Sequence, residues 1–235
     1  MNRGTGRPTK GYFTADGTRV PSVTTINNFG GDSGGLVYKA KKNWHEEGRL
    51  GHPFERDAYW PDDTALWGTD AKETGSMVHS WIESDIHGEP PDTFDAASVP
   101  QILQANQAFE AYRDWRTMVN LEIVDTELPL VSEEYRFGGT LDAIAVLNDR
   151  RVLLDWKASN SARVSYIAQL AAYRQLVNEN NYGPVDNAYL LRVGKTHGDF
   201  HLHSYPAGVL DTGWEWFLAA KKQYELDKVL SKVAS

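Results

Sequence analysis

The chain has 235 residues, a formal net charge of −8 and no cysteine. That length suits one large domain with an ample core, and the missing thiols exclude disulfides, thiolate zinc sites and cysteine-ligated iron–sulfur clusters. Any metal must be held by Asp, Glu, His or backbone oxygen, which favours hard cations such as magnesium or manganese, while the acidic balance argues against a protein that coats nucleic acid through bulk basicity.

Residues 1–34 are rich in Gly, Thr, Arg and Asn, and Arg3, Arg7, Lys10 and Arg19 make the segment basic. Val20-Pro21-Ser22-Val23-Thr24-Thr25-Ile26 reads as a short strand or the entry to a helix. Gly30, Gly31, Gly34 and Gly35 read as a flexible connection, since their spacing matches neither dinucleotide nor nucleotide-triphosphate fingerprints. Leu36–Arg49 reads as a helix with Lys39, Lys41 and Lys42 near its start, and 51–66 as irregular chain broken by Pro53 and Pro61. Helices are predicted over Thr69–His87, where Val78, Trp81, Ile82 and Ile86 form an apolar stripe, and over Ser98–Val119, where Ile102, Leu103, Phe109, Tyr112 and Trp115 recur at helical intervals.

The pattern then changes to strands at Leu121–Leu128, Val131–Tyr135, Gly138–Leu147 and Arg151–Trp156, with Asn148-Asp149 as a tight hairpin loop. Arg163–Asn180 reads as a helix, Ala188–Val193 and Phe200–Tyr205 as strands, and Leu210 to about Leu230 as a closing helix. This order predicts a single α/β domain with a mixed central β-sheet flanked by helices. Residues 1–66 form a helical N-terminal elaboration in this reading, and 67–235 the core. No apolar stretch approaches the ~20 residues of a membrane span, and Met1 to Lys10 lacks the apolar centre of a secretory signal, so a cytoplasmic location is expected.

Two carboxylates stand out. Asp142 lies within Thr140-Leu141-Asp142-Ala143-Ile144-Ala145, and Asp155 follows Val152-Leu153-Leu154. An unpaired carboxylate in such a buried strand costs several kcal/mol or is forced neutral, so each needs a cation or an arginine. Asp155 and Lys157 are two apart and project to one side of a strand. Strands joined at Asn148-Asp149 bring Asp142 nearly opposite Asp155, with Cβ atoms on the order of 5 Å apart. Two carboxylates that close repel unless a cation sits between them.

These pieces resemble the PD-(D/E)XK nuclease superfamily, in which an Asp on one strand precedes an acidic residue, any residue and Lys on the next. Gly139-Thr140-Leu141-Asp142 and Asp155-Trp156-Lys157 carry that likeness. Gly75-Ser76-Met77-Val78-His79 resembles the upstream Gly-X-X-X-His of the RecB-like, phage-type exonuclease branch, and Gln169-Leu170-Ala171-Ala172-Tyr173 its Gln-X-X-X-Tyr helix. The likeness spans about residues 70–175, with a weaker echo at Pro21-Ser22-Val23-Thr24-Thr25, and without the four cysteines that many relatives use for an iron–sulfur cluster.

The resemblance implies a restriction-endonuclease-like core and a metal-dependent DNA exonuclease acting on single strands or free ends, in recombination, repair or replication. A structure-specific or restriction-type endonuclease and a non-catalytic nucleic-acid-binding module are the alternatives. It implies one or two magnesium or manganese ions held by Asp142, Asp155, the backbone carbonyl of Trp156 and His79. Lys157 would position or help deprotonate water, and Gln169 and Tyr173 would orient the lysine strand or the substrate. Glu83, one helical turn after His79, and Arg163 are further candidates. Trp60 and Trp67 are candidates for base stacking, and Lys39, Lys41, Lys42, Arg3 and Arg7 for binding phosphate. DNA, and a recombination or replication protein, are the expected partners. The expected compartment is the cytoplasm, of the host if the chain is phage-encoded.

Overall fold

The computed structural model describes residues 2–3, 6–30, 64–159 and 161–234, with 2–3, 64–72 and 234 by their backbone alone. The helix expected at Leu36–Arg49 with Lys39, Lys41 and Lys42, the glycines Gly31, Gly34 and Gly35, and Trp60 lie outside the described residues, and the Trp67 and Arg3 side chains with them.

The central sheet is built on a hairpin. β5 (Phe137–Leu147) and β6 (Arg150–Ala158) pair antiparallel, and only Asn148-Asp149 joins them. Both loop residues have positive φ, 48° and 64°, which is the two-residue turn whose twist matches that of the flanking strands. β4 (Leu121–Ser132) adds antiparallel to the outer side of β5, and β1 (Asn2–Arg3) parallel to β4. After β6 the chain crosses through α4 (Val164–Glu179) to β7 (Ala188–Val193), parallel to β6, and β8 (Phe200–Tyr205) closes the edge antiparallel. The strand order is β1-β4-β5-β6-β7-β8, a mixed sheet as expected.

Helices cover both faces. On one, α1 (Val23–Gly30), α4 and α5 (Ala207–Ala234) pack around Phe137, Leu141, Leu153, Leu176, Leu190 and Phe217. On the other, α2 (Thr64–His87) and α3 (Val99–Met118) bury Met77, Ile82, Tyr112 and Trp115 against Leu154, Trp156 and Leu191. Burial on both faces explains why β5 and β6 read as nearly continuous apolar runs rather than alternating ones. Ser98 caps α3 in a reciprocal pair with Gln101, satisfying two of the helix's orphan donors.

The structure departs from the sequence reading in three places. α2 begins at Thr64, inside the stretch 51–66 read as irregular. Leu121–Leu128 and the start of Val131–Tyr135 run together as one strand, β4, which ends at Ser132, and 133–136 form the turn to β5. Pro129 signals a break because it cannot donate to a ladder, but β1 covers only Asp125 and Thr126, so the missing N–H falls where no described strand pairs with β4 on that side. The irregularity is instead a register shift between Ile123 and Asp125. The described part of the N-terminal stretch also holds strands. β2 (Tyr12–Phe13) and β3 (Arg19–Val20) form a small hairpin, and its neighbour Ser22 bridges to Gly138. No helix among the described residues is long and apolar enough to cross a membrane.

Candidate metal and catalytic site

The β5–β6 register carries the two carboxylates together. The last ladder pair is Ala143 with Leu154, so Asp142 and Asp155 are the next pair, just where the ladder ends. Both are buried, at 8% and 1% exposure. Released from the ladder, the Trp156 N–H donates to Asp142 Oδ2 at 3.0 Å, which ties the first carboxylate to the strand that carries the second. Lys157 donates to Asp155 Oδ1 at 2.9 Å. Asp155 Oδ2 lies 2.7 Å from the same ammonium yet accepts no hydrogen bond. It is in ion-pair range but outside the angular range of a bond, so one buried oxygen still has a lone pair to offer.

The electrostatics follow from this geometry. Burial pushes the Asp155 carboxyl up to about 7, and the Asp142 charge beside it pushes the same way. Asp142 is also raised, first by burial, although Lys157 and the Trp156 N–H pull it down. The Asp155 carboxyl, within hydrogen-bond reach, adds to that downward pull on Asp142. Burial lowers the Lys157 ammonium, but Asp155 and Asp142 outweigh it and leave its pKa above the usual value.

His79 projects from α2 toward the same point. Its Nδ1 is 3.9 Å from Asp142 Oδ2, and its ring centroid is 6.1 Å from that of Trp156. Burial lowers its pKa to about 4, and the Lys157 charge adds to the effect, while the Trp156 backbone pulls the other way. The ring is therefore neutral at physiological pH, the form that binds a metal. Its side chain keeps 31% exposure. Glu83, one turn on along α2, acts electrostatically on both His79 and Asp142. Among the described residues no group of three or more His, Asp or Glu side chains is placed to hold a metal ion by itself. What the site offers is two adjoining carboxylates with one buried oxygen unbonded, and a neutral imidazole beside them, a hard donor set that fits a divalent cation.

Gln169 and Tyr173 lie on α4 beneath this site. The Gln169 amide donates to the Tyr173 hydroxyl at 2.9 Å, and the phenol is held neutral, its pKa well above 10, by burial and then by the charges of Asp155 and Asp142. Tyr173 reaches this position because Gly139 has no side chain: a Cβ there would sit 2.7 Å from its ring. Arg163 stands exposed at the N-cap of α4 and makes no capping bond, apart from the hydrogen bonds of the cluster.

Two residues of the surroundings escaped the sequence reading. Tyr166 places its ring 5.9 Å from Lys157 Nζ, within cation–π range. Its position, one turn before Gln169, was a usable signal. Tyr12, from the N-terminal hairpin, bonds Thr140 through their hydroxyls at 2.9 Å and packs on Gly138, where a Cβ would come within 2.5 Å of it. The paired glycines Gly138-Gly139 inside a strand were the local sign of such close approach.

No family model matches the sequence, and no match was found among curated proteins. Among solved structures the chain is similar to an alkaline exonuclease, LHK-Exo, from Laribacter hongkongensis, with 13% identity and a TM-score of 0.32 over 67% of this chain and 85% of that one. LHK-Exo in complex with dAMP aligns with the same values. SSO0001 aligns with 12% identity and a TM-score of 0.32, over 83% of this chain and 74% of the other.

Proposed function

We propose that the chain is a magnesium- or manganese-dependent nuclease that hydrolyses phosphodiester bonds in DNA, acting as an exonuclease on single strands or free ends. The observation that carries this reading is the pair Asp142 and Asp155, buried side by side with Lys157 on the second of them. A purely structural role would be served better by apolar residues, because burying ionised groups seldom repays its desolvation cost.

Asp142, Asp155, the Trp156 carbonyl and His79 would hold the cation, which when bound polarises the phosphate and acidifies a water. Lys157, kept protonated by the two carboxylates, directs positive charge at the place where phosphate oxygens gain negative charge. The Tyr166 ring lies within cation–π range of that ammonium. The Gln169–Tyr173 pair, backed by Gly139, fixes the floor beneath Asp155 without adding a second ionisable group. The Trp156 N–H holds Asp142 in one orientation and keeps one of its oxygens from binding elsewhere.

The test is substitution. Asp142→Ala, Asp155→Ala and Lys157→Ala should each remove magnesium-dependent cleavage of DNA, a loss of at least about 100-fold for groups acting in the transition state, with the fold retained by circular dichroism. Wild-type cleavage in any of the three would sink the proposal.

A further inference from the structure

A cavity of about 740 Å³ opens between the β2–β3 hairpin and helix α5. Arg7, Arg19 and Lys228 line it together with the hydroxyl-bearing Tyr12, Thr25 and Tyr224, and among the described residues no carboxylate does. Three cations around one opening run against the trend of a chain with net charge −8. Three arginines elsewhere are neutralised: Arg136 pairs with Asp16, Arg174 with Asp211 and Arg192 with Asp199. Among the described residues none of the three cavity cations has such a partner. Lys228 instead lies 5.4 Å from the centre of the Tyr224 ring. Arg19 lies across Gly11, where a Cβ would come within 3.1 Å of its Nε, so the absence of a side chain at 11 makes room for the guanidinium.

This cavity adjoins the carboxylate site. Tyr12 forms part of its wall and bonds Thr140, which precedes Asp142 by two residues, about 7 Å of strand. We propose that the cavity is a phosphate-binding site for the nucleic-acid strand, holding a backbone phosphate a short way along the chain from the one at Asp142 and Asp155. The inference rests on the nuclease reading above. Guanidinium and ammonium groups set among hydroxyl donors are the chemistry that recognises phosphate, and such groups set the position of a strand rather than its sequence.

The experiment uses the full chain carrying Lys157→Ala, which should stop cleavage, and a fluorescein-labelled single-stranded oligodeoxynucleotide. Binding is followed by anisotropy over a range of salt, with the cavity intact or with R7Q, R19Q and K228Q combined. All three side chains are exposed, so the fold should survive, and a thermal melt checks that it does. The triple variant should bind at least about tenfold more weakly, and its log K against log salt should be shallower by about 0.7 for each phosphate that the cavity no longer neutralises. Inorganic phosphate should displace the oligonucleotide from the intact cavity with a potency that the triple variant lacks. Unchanged affinity and slope would overturn the proposal. So would inorganic phosphate binding at the cavity without competing with the oligonucleotide, which would make it a site for the free ion. In the cleavage-competent chain the triple substitution should raise KM and leave kcat within about twofold. If the unsubstituted chain cleaves no DNA, the nuclease reading fails, while the binding comparison still decides the cavity.

Discussion

Asp155→Asn separates the cost of the buried carboxylate from its chemistry. Asp155 has a pKa of about 7 in the folded chain, against about 3.9 for an unfolded aspartate. The sign follows from linkage. A folded-state pKa above the unfolded one means that the folded chain holds the proton more tightly, so Asp155 weakens the fold progressively as pH rises from about 4 to about 7. Above that range the penalty is constant, at about 4 kcal/mol as an upper value, since three pH decades are worth about 1.4 kcal/mol each. Screening reduces it little, because only 1% of Asp155 is exposed. The Asn variant has no such penalty. Urea unfolding followed by tryptophan fluorescence, with EDTA present, should give coincident stabilities near pH 4.5 and a variant more stable by about 2–4 kcal/mol at pH 8. Magnesium should raise the melting temperature of the parent and not of the variant, because a cation that binds only the folded state stabilises it by mass action. Stability curves that run parallel from pH 4.5 to 8, or a variant that is weaker at pH 8, would refute the claim that this carboxylate is held at an energetic cost.

Three further outcomes follow from local geometry. Gly139→Ala puts a Cβ 2.7 Å from the Tyr173 ring and 3.0 Å from Val23; chemical denaturation should show a loss of about 1–3 kcal/mol from overpacking, with cleavage reduced as Tyr173 is displaced. Ser98→Ala removes the N-cap of α3 and should cost about 1 kcal/mol in the same assay, leaving kcat unchanged. Tyr12→Phe breaks the bond to Thr140 while keeping the ring on Gly138, so a loss of about 0.5–1.5 kcal/mol is expected, where Tyr12→Ala should cost about 3–5 kcal/mol.

The centre of the fold was legible because its determinants are local. Asn148-Asp149 names a two-residue turn, the turn fixes the β5–β6 register, and the register sets Asp142 against Asp155. The helical spacing of Gln169 and Tyr173 likewise set them on one face of α4, where the structure adds their mutual bond. What escaped the sequence is what depends on distant segments. Asn2–Arg3 joins β4 across more than a hundred residues, and Tyr12 reaches Thr140 over a similar span; no periodicity carries such information. Pro129 misled because its effect depends on whether a neighbouring strand needs its N–H, a fact of topology rather than of composition. The Trp156 N–H bond to Asp142 belongs to the same group, since it exists only because the ladder ends one pair short of the carboxylates.

Nucleotide release from end-labelled linear single-stranded DNA, run beside a closed circle of the same sequence, bears most directly on the central claim. The account predicts release from the linear strand that requires magnesium or manganese, stops with EDTA, is lost in Lys157→Ala, and leaves the circle intact. Linearisation of the circle would contradict the exonuclease assignment, and release that persists in EDTA or in Lys157→Ala would contradict the site itself.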